Sequence, residues 1–171
     1  MSEHAERLMA FYLNHATDHQ GRTLEDIWEL SHFWLEHTHD YIQWLFPIPE
    51  AGRFNPFAPL LDEEARRQFH ESPTMQARQR TSLDVMLDFF GLQREGLVIS
   101  ATAGLDPTRH IWLKRGGHNH LRITRIIRSL HLAGQPELAG AVQQSFIDIG
   151  TRQGYVTPAT VAYWQAATQA P

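Results

Sequence analysis

The residues best suited to binding chemistry lie in residues 114–125, whose sequence is KRGGHNHLRITR. The pair of glycines lets a ligand approach the backbone closely, and a helix is predicted to begin directly after it. On that helix His118, Arg122 and Arg125 stand at positions i, i+4 and i+7, so they form one stripe. The positive helix end and this stripe would hold a phosphate or carboxylate. The other interpretation is a helix cap whose arginines pair with acidic residues near the N-terminus.

Histidine and carboxylate side chains also recur in residues 31–46, for which one continuous helix is predicted. Side chains of these types at helical spacing can bind a divalent metal. The set that could support a metal-dependent enzyme is His37, His39, Asp40, His118 and His120. A weaker metal candidate is HATDH, with His15 and His19 one turn apart. No HExxH, GxSxG, P-loop or GxGxxG motif supports a specific reaction, so histidines that are exposed or hydrogen-bonded remain the alternative.

Aromatic side chains cluster around the same region. They are predicted to be core residues for the most part, with some lining a pocket: Trp34, Tyr41, Trp44, Phe46, Phe54 and Phe57. Residues 47–60 hold four of the nine prolines together with aromatic and leucine residues. This composition predicts an ordered, packed loop.

The elements that must position these residues are helical. Apolar residues recur every three to four positions through most of the chain, and capping signals occur at Thr23, Asp62, Pro73, Pro136 and Pro158. Residues 92–107 alone suggest a short hairpin or an irregular loop. The sequence therefore predicts an all-α bundle of about seven helices with one short hairpin at most.

Composition sets the class of protein. The 171 residues predict one domain over residues 1–171, and 42% hydrophobic with 20% charged residues excludes intrinsic disorder. There is no cysteine, which excludes disulfides, thiolate nucleophiles and cysteine-ligated metals. No apolar run approaches the roughly 20 residues of a membrane span, and no signal peptide is recognised. We expect a cytoplasmic protein.

The charge is unevenly distributed. Residues 1–50 hold nine acidic residues and two arginines, a net charge of about −7. Residues 107–136 hold six basic residues and no acidic one. The basic segment either packs against the acidic one or faces a ligand anion. Nucleic acid is not expected as a partner, because the pI is near 6.2.

Two segments resemble those of a known family. HDYIQWLFPIPE (residues 39–50) and HNHLRITRIIRSL (residues 118–130) resemble the hallmark segments of the opioid growth factor receptor conserved region. Between them, PLLDEE and the helix ending LDFFGL are similar to the middle of that family, and the resemblance covers residues 21–150. Its animal members are described as receptors for the enkephalin peptide. The resemblance implies a shared fold and a ligand-binding role, and it supplies no catalytic residues.

The resulting prediction is a binding module with a polar pocket between the helix at 31–46 and the helix at 118–133. The ligand is predicted to be a small molecule or short peptide with an anionic group, and no cofactor is identified. The predicted ligand-binding residues are His39, Asp40, Gln43, Trp44, His118, Asn119, Arg122 and Arg125. The alternative is the metal-dependent enzyme, and a structural adaptor for other proteins is a weaker third hypothesis.

Overall fold

The computed structural model describes residues 1–53 and 55–171, and helices dominate them. The described residues form nine α-helices, two β-strands and a short 3-10 helix, Ile111–Leu113. The helices are α1 (Glu3–Tyr12), α2 (Leu24–Trp28), α3 (His32–His37), α4 (Ile42–Leu45), α5 (Glu63–Glu71), α6 (Pro73–Phe89), α7 (His118–Leu132), α8 (Pro136–Gln153) and α9 (Pro158–Ala166). The strands are β1 (Leu92–Glu95) and β2 (Val98–Ala101). The predicted all-α class with one short hairpin is confirmed.

Capping residues begin several helices where the sequence predicts. Thr23 and Asp26 form a reciprocal capping box at α2. Asp62 accepts the amide of Ala65 at the start of α5. Pro158 occupies the first turn of α9, where its missing N–H removes no helical bond.

The prediction of one continuous helix over residues 31–46 is wrong. The chain leaves the helix at Thr38, whose backbone is extended, and α4 starts only at Ile42. In a continuous helix the carbonyl of Leu35 would accept an amide four residues later. Here it accepts the hydroxyl of Tyr41 at 2.6 Å. A side-chain donor therefore satisfies the carbonyl that the break would otherwise leave without its helical partner.

The chain forms two compact units, and the first comprises residues 1–82, 132–134 and 171. In this unit α1 packs against α5, and the ring of Tyr12 meets that of Phe69 edge-on at 4.9 Å. Burial raises the pKa of the Tyr12 hydroxyl far above its usual value. The hydroxyl is therefore protonated, and it donates a hydrogen bond to the carbonyl of Leu45. This bond holds α4 against α1.

The second unit comprises residues 83–131 and 135–170, and aromatic rings fill its core. Phe146 of α8 lies 5.5 Å from Phe90, 5.0 Å from Trp112 and 6.0 Å from Trp164, measured between ring centroids. The indole N–H of Trp112 donates to the carbonyl of Phe90 at 2.8 Å. This bond gives a buried donor its partner, as a large ring with a polar edge requires.

The hairpin lies in the second unit against α8. Its strands are antiparallel, with Leu92 opposite Ala101 and Glu95 opposite Val98. Gly91 ends α6 with a φ of +82°, and a Cβ there would lie 2.7 Å from the side chain of Leu105. The positive φ favours glycine here, and a methyl group would also displace the end of the Leu105 side chain.

None of the helices in the described part of the chain combines the length and apolar composition that crossing a membrane requires.

Candidate functional site

The N-terminus of α7 lines a cavity of about 260 Å³ in the second unit. Its lining residues are the apolar Ile111 and Trp112 together with residues 115–119. Gly117 has a φ of +138°, a conformation that favours glycine, and apart from its chain neighbours and the backbone of α7 no atom of the described residues lies within 4 Å of where its Cβ would be. The glycine pair thus keeps backbone rather than side chains at the cavity mouth.

Arg115 and His118 supply the exposed polar groups of this cavity. Among residues 1–53 and 55–171, nothing forms a hydrogen bond or ion pair with the Arg115 guanidinium. The positive end of the α7 dipole faces the same space. A cation and a helix N-terminus beside an apolar wall suit an organic anion.

The other predicted residues on α7 differ in their exposure. Arg122 is only 4% exposed, and its guanidinium donates to the Asn119 side-chain oxygen at 3.3 Å. Asn119 is also buried and lines the cavity, whereas Arg125 is half-buried. Asn119 therefore links a buried arginine to the cavity wall.

His120 is held on both sides of its ring within the second unit. Its Nε2 lies 2.7 Å from the carbonyl oxygen of Trp112, which can only accept, so Nε2 carries the proton. Its Nδ1 lies 3.2 Å from the hydroxyl oxygen of Thr160, within hydrogen-bonding distance. With both nitrogens bonded, this residue positions the cavity wall in this structure and offers no free nitrogen to a metal.

Four of the predicted binding residues lie in the first unit, where they do different things. Gln43 is buried and donates from its amide nitrogen to the carbonyl of His39 and to the side chain of Asn55, both at 3.1 Å. These bonds fix the turn before α4 to the loop that follows it. Trp44 and Asp40 instead both contact His19, a residue of the HATDH motif.

The indole N–H of Trp44 donates to Nδ1 of His19 at 3.0 Å, and Nε2 of His19 lies 3.1 Å from Oδ2 of Asp40. Arg22 lies 3.0 Å from the other Asp40 oxygen and 2.7 Å from the buried carboxylate of Asp18. This polar cluster joins residues 18–22 to the start of α4. The HATDH motif contains the signal for it, but only the fold shows that its partners are Trp44 and Asp40.

A second cavity, of about 280 Å³, adjoins that cluster within the first unit. Its lining residues are Glu6, Arg7, Ala10, Ala16, Thr17, Asp18, His19 and Trp44. The guanidinium of Arg7 lies 5.2 Å above the Trp44 ring and donates to the carbonyl of Phe57 at 3.1 Å. One cation and one exposed carboxylate, Glu6, therefore border this cavity.

The prediction that the aromatic residues are mostly core residues is correct for some of them. Tyr41, Trp44 and Phe46 are buried core residues, whereas Trp34 is 56% exposed. Phe57 stacks on the ring of His19 at 4.2 Å. Phe54 lies outside the described residues.

The described residues do not bring a set of metal ligands together. Residues 1–53 and 55–171 contain no group of three or more histidine, aspartate and glutamate side chains arranged to hold a metal ion. Histidines His37, His39 and His118 are exposed. That the residues of α4 and those of α7 serve one ligand stays a prediction.

Comparison with known proteins gives one family. Residues 2–167 match the opioid growth factor receptor (OGFr) conserved region. No solved structure matches the chain.

Individual relatives agree with this match. Opioid growth factor receptor-like protein 1 of Xenopus tropicalis is 36% identical over 129 residues, which is 71% of this chain and 25% of the relative. Opioid growth factor receptor of Mus musculus is 34% identical over 148 residues, 82% of this chain and 23% of the relative. The human receptor is 34% identical over 133 residues, 75% of this chain and 20% of the relative. The chain thus spans about a quarter of the length of these relatives or less.

Proposed function

The chain belongs to the opioid growth factor receptor conserved-region family, and from this premise we propose that it is a binding module for a small molecule or short peptide with an anionic group. The relatives that it matches are named as receptors or receptor-like proteins. The name receptor belongs to those longer proteins. The property that we propose for this chain is ligand binding alone.

The observation that carries the proposal is the cavity at the N-terminus of α7. It combines Arg115, the exposed His118 and the positive end of a 15-residue helix with apolar surface from Ile111 and Trp112. The surrounding residues 107–136 contain no acidic residue that would repel an anion. The charge favours an anionic group, and the apolar wall favours an organic ligand over a bare inorganic ion.

The size of the cavity narrows the ligand class. A volume of about 260 Å³ lies just below the range of roughly 300–1,000 Å³ found for pockets that enclose drug-sized ligands. A carboxylate with one apolar side chain, such as the C-terminal residue of a peptide, is of the right size. We therefore propose that a free carboxylate lies against Arg115 while its apolar part contacts Ile111.

The other residues predicted from the sequence belong to the same proposal. His39, Asp40, Gln43 and Trp44 of the first unit are still predicted binding residues. Asn119, Arg122 and Arg125 are proposed to support the α7 cavity, Asn119 by lining it and the arginines by adding positive charge. A cytoplasmic location and the absence of a nucleic-acid partner also stay predictions.

The test uses N-acetyl-leucine as an apolar carboxylate and inorganic phosphate as a bare anion. N-acetyl-leucine should raise the melting temperature of the parent protein, and Arg115→Gln should abolish that rise. Arg109→Gln is the matched control, since Arg109 is exposed, lies in the same basic segment and does not line the cavity. An equal loss in both variants would mean that net charge alone attracts the anion. No rise in the parent protein would contradict the proposal.

A further inference from the structure

The bond between Trp44 and His19 fixes the protonation state of a histidine. An indole N–H can only donate a hydrogen bond. Nδ1 of His19, 3.0 Å away, must therefore be the acceptor and carry no proton. The planes of the two rings are nearly parallel, with an angle of 3° between them.

The second nitrogen of the ring completes the assignment. A neutral imidazole carries its single proton on Nε2, which lies 3.1 Å from Oδ2 of Asp40. His19 thus accepts from Trp44 and donates to Asp40, which joins the segment before α2 to the start of α4. Its side chain is 19% exposed, so a proton from solvent can reach it.

Charged groups of both signs face this ring. Asp40 favours the protonated imidazolium, and Glu6 of α1 and Asp18 lie around the same cavity. Arg22 lies 3.0 Å from Asp40 and opposes protonation, as does Arg7 of α1 above Trp44. Whatever the balance of these charges, a proton on Nδ1 of His19 would place two N–H donors 3.0 Å apart, and the hydrogen bond to Trp44 would be lost.

We propose that His19 is a proton-operated switch whose neutral form holds residues 18–22 to α4 through Trp44 and whose protonated form releases Trp44. Histidine is the side chain that changes charge between about pH 5 and pH 8. The locked state is present at the upper end of this range and is lost as the pH falls. His19 and Trp44 both line the cavity of about 280 Å³, so the switch moves one of its walls.

The first experiment follows His19 and the Trp44 indole proton in the full chain by NMR from pH 8 to pH 5. We expect Nδ1 of His19 to be unprotonated at pH 8. On acidification the Trp44 indole signal should shift with the same midpoint as His19. A Trp44 signal that ignores the titration of His19, or a proton on Nδ1 at pH 8, would overturn the proposal.

Two variants should shift the pH at which His19 takes up its proton in opposite directions. Trp44→Phe removes the opposing donor, so His19 should take up its proton at higher pH, with about a tenfold gain in proton affinity. Asp40→Asn removes the favourable carboxylate and should move the titration to lower pH. The exposed His15 is the internal control and should titrate alike in all proteins. If Trp44→Phe leaves His19 unchanged, or lowers its proton affinity, the switch is refuted. Should Trp44→Phe fail to fold, the parent protein and Asp40→Asn still decide.

Discussion

His120 donates a hydrogen bond to the carbonyl oxygen of Trp112 across 2.7 Å, and this bond ties α7 to the 3-10 helix beside the cavity. The same histidine packs edge-on against Trp164, with ring centroids 5.3 Å apart. A residue that the sequence offered as a metal ligand thus holds Trp112, which lines the proposed site.

Replacing His120 by alanine should therefore lower the stability of the protein. The change removes two hydrogen bonds, leaves a buried carbonyl without this partner and opens a gap next to Trp164. We expect a loss of about 2–4 kcal/mol in the free energy of unfolding, measured by urea denaturation. His118→Ala, two residues earlier at an exposed position, is the control and should cost under about 1 kcal/mol. Equal effects of the two substitutions would contradict this role for His120.

Gly154 lies against the backbone of Leu113, which places the end of α8 beside the 3-10 helix. A Cβ on Gly154 would lie 2.5 Å from the carbonyl oxygen of Leu113. Because a backbone atom cannot give way cheaply, Gly154→Ala should lower stability by about 1–3 kcal/mol.

The matched control for Gly154 is Gly140→Ala within α8, where nothing in the described part of the chain, beyond the adjacent residues and the helix's own backbone, lies within 4 Å of the new methyl group. Alanine is the better helix former, so this change should raise stability by about 0.5–1 kcal/mol. Thermal melting of both variants checks the pair. A neutral Gly154→Ala would show that the Leu113 carbonyl is not where the structure has it.

Glu25 gives stability a pH dependence in the first unit. Burial acts to raise the pKa of Glu25, but hydrogen bonds from Arg78, the backbone and Asn14, with the charge of Arg78, lower it overall. A folded-state pKa below the unfolded value stabilises the fold above the unfolded pKa. That contribution is lost as the pH falls below about 4.5 and through the folded pKa. The Glu25 side chain is 43% exposed, so solvent screening limits the effect to about 1 kcal/mol or less.

Glu25→Gln should accordingly be less stable than the parent protein at pH 7 and equally stable near pH 3. Urea denaturation at both pH values measures the difference. Glu95→Gln, at an exposed position on β1, should match the parent at both. A Glu25→Gln penalty that persists at pH 3 would assign the effect to packing rather than to charge.

The sequence predicts those features that depend on local chemistry. Caps such as Thr23 and Asp62 lie next to the helices that they begin, and Gly91 lies two residues after the end of α6. The glycine pair before His118 likewise identifies the start of α7, and the basic residues around it indicate an anion. These signals act within a few residues, so a single sequence contains them.

The features that were missed depend on contacts over longer distances. The break in residues 31–46 is stabilised by the Tyr41 hydroxyl, and periodicity gives no sign of that bond. His19 and Trp44 are 25 positions apart in the sequence, so their contact depends on how the intervening chain folds. Ile111 and Trp112 line the cavity because the 3-10 helix lies beside the start of α7. No sequence motif predicts that arrangement.

The most direct test of the proposed function is an NMR titration of the parent protein with N-acetyl-leucine. We predict that the amide signals of residues 115–119 and the indole signal of Trp112 shift together and saturate. In Arg115→Gln the same shifts should be lost, while Arg109→Gln should retain them. Shifts that are absent, or that map to other residues and persist in Arg115→Gln, would contradict the claim that the N-terminus of α7 binds an anionic ligand.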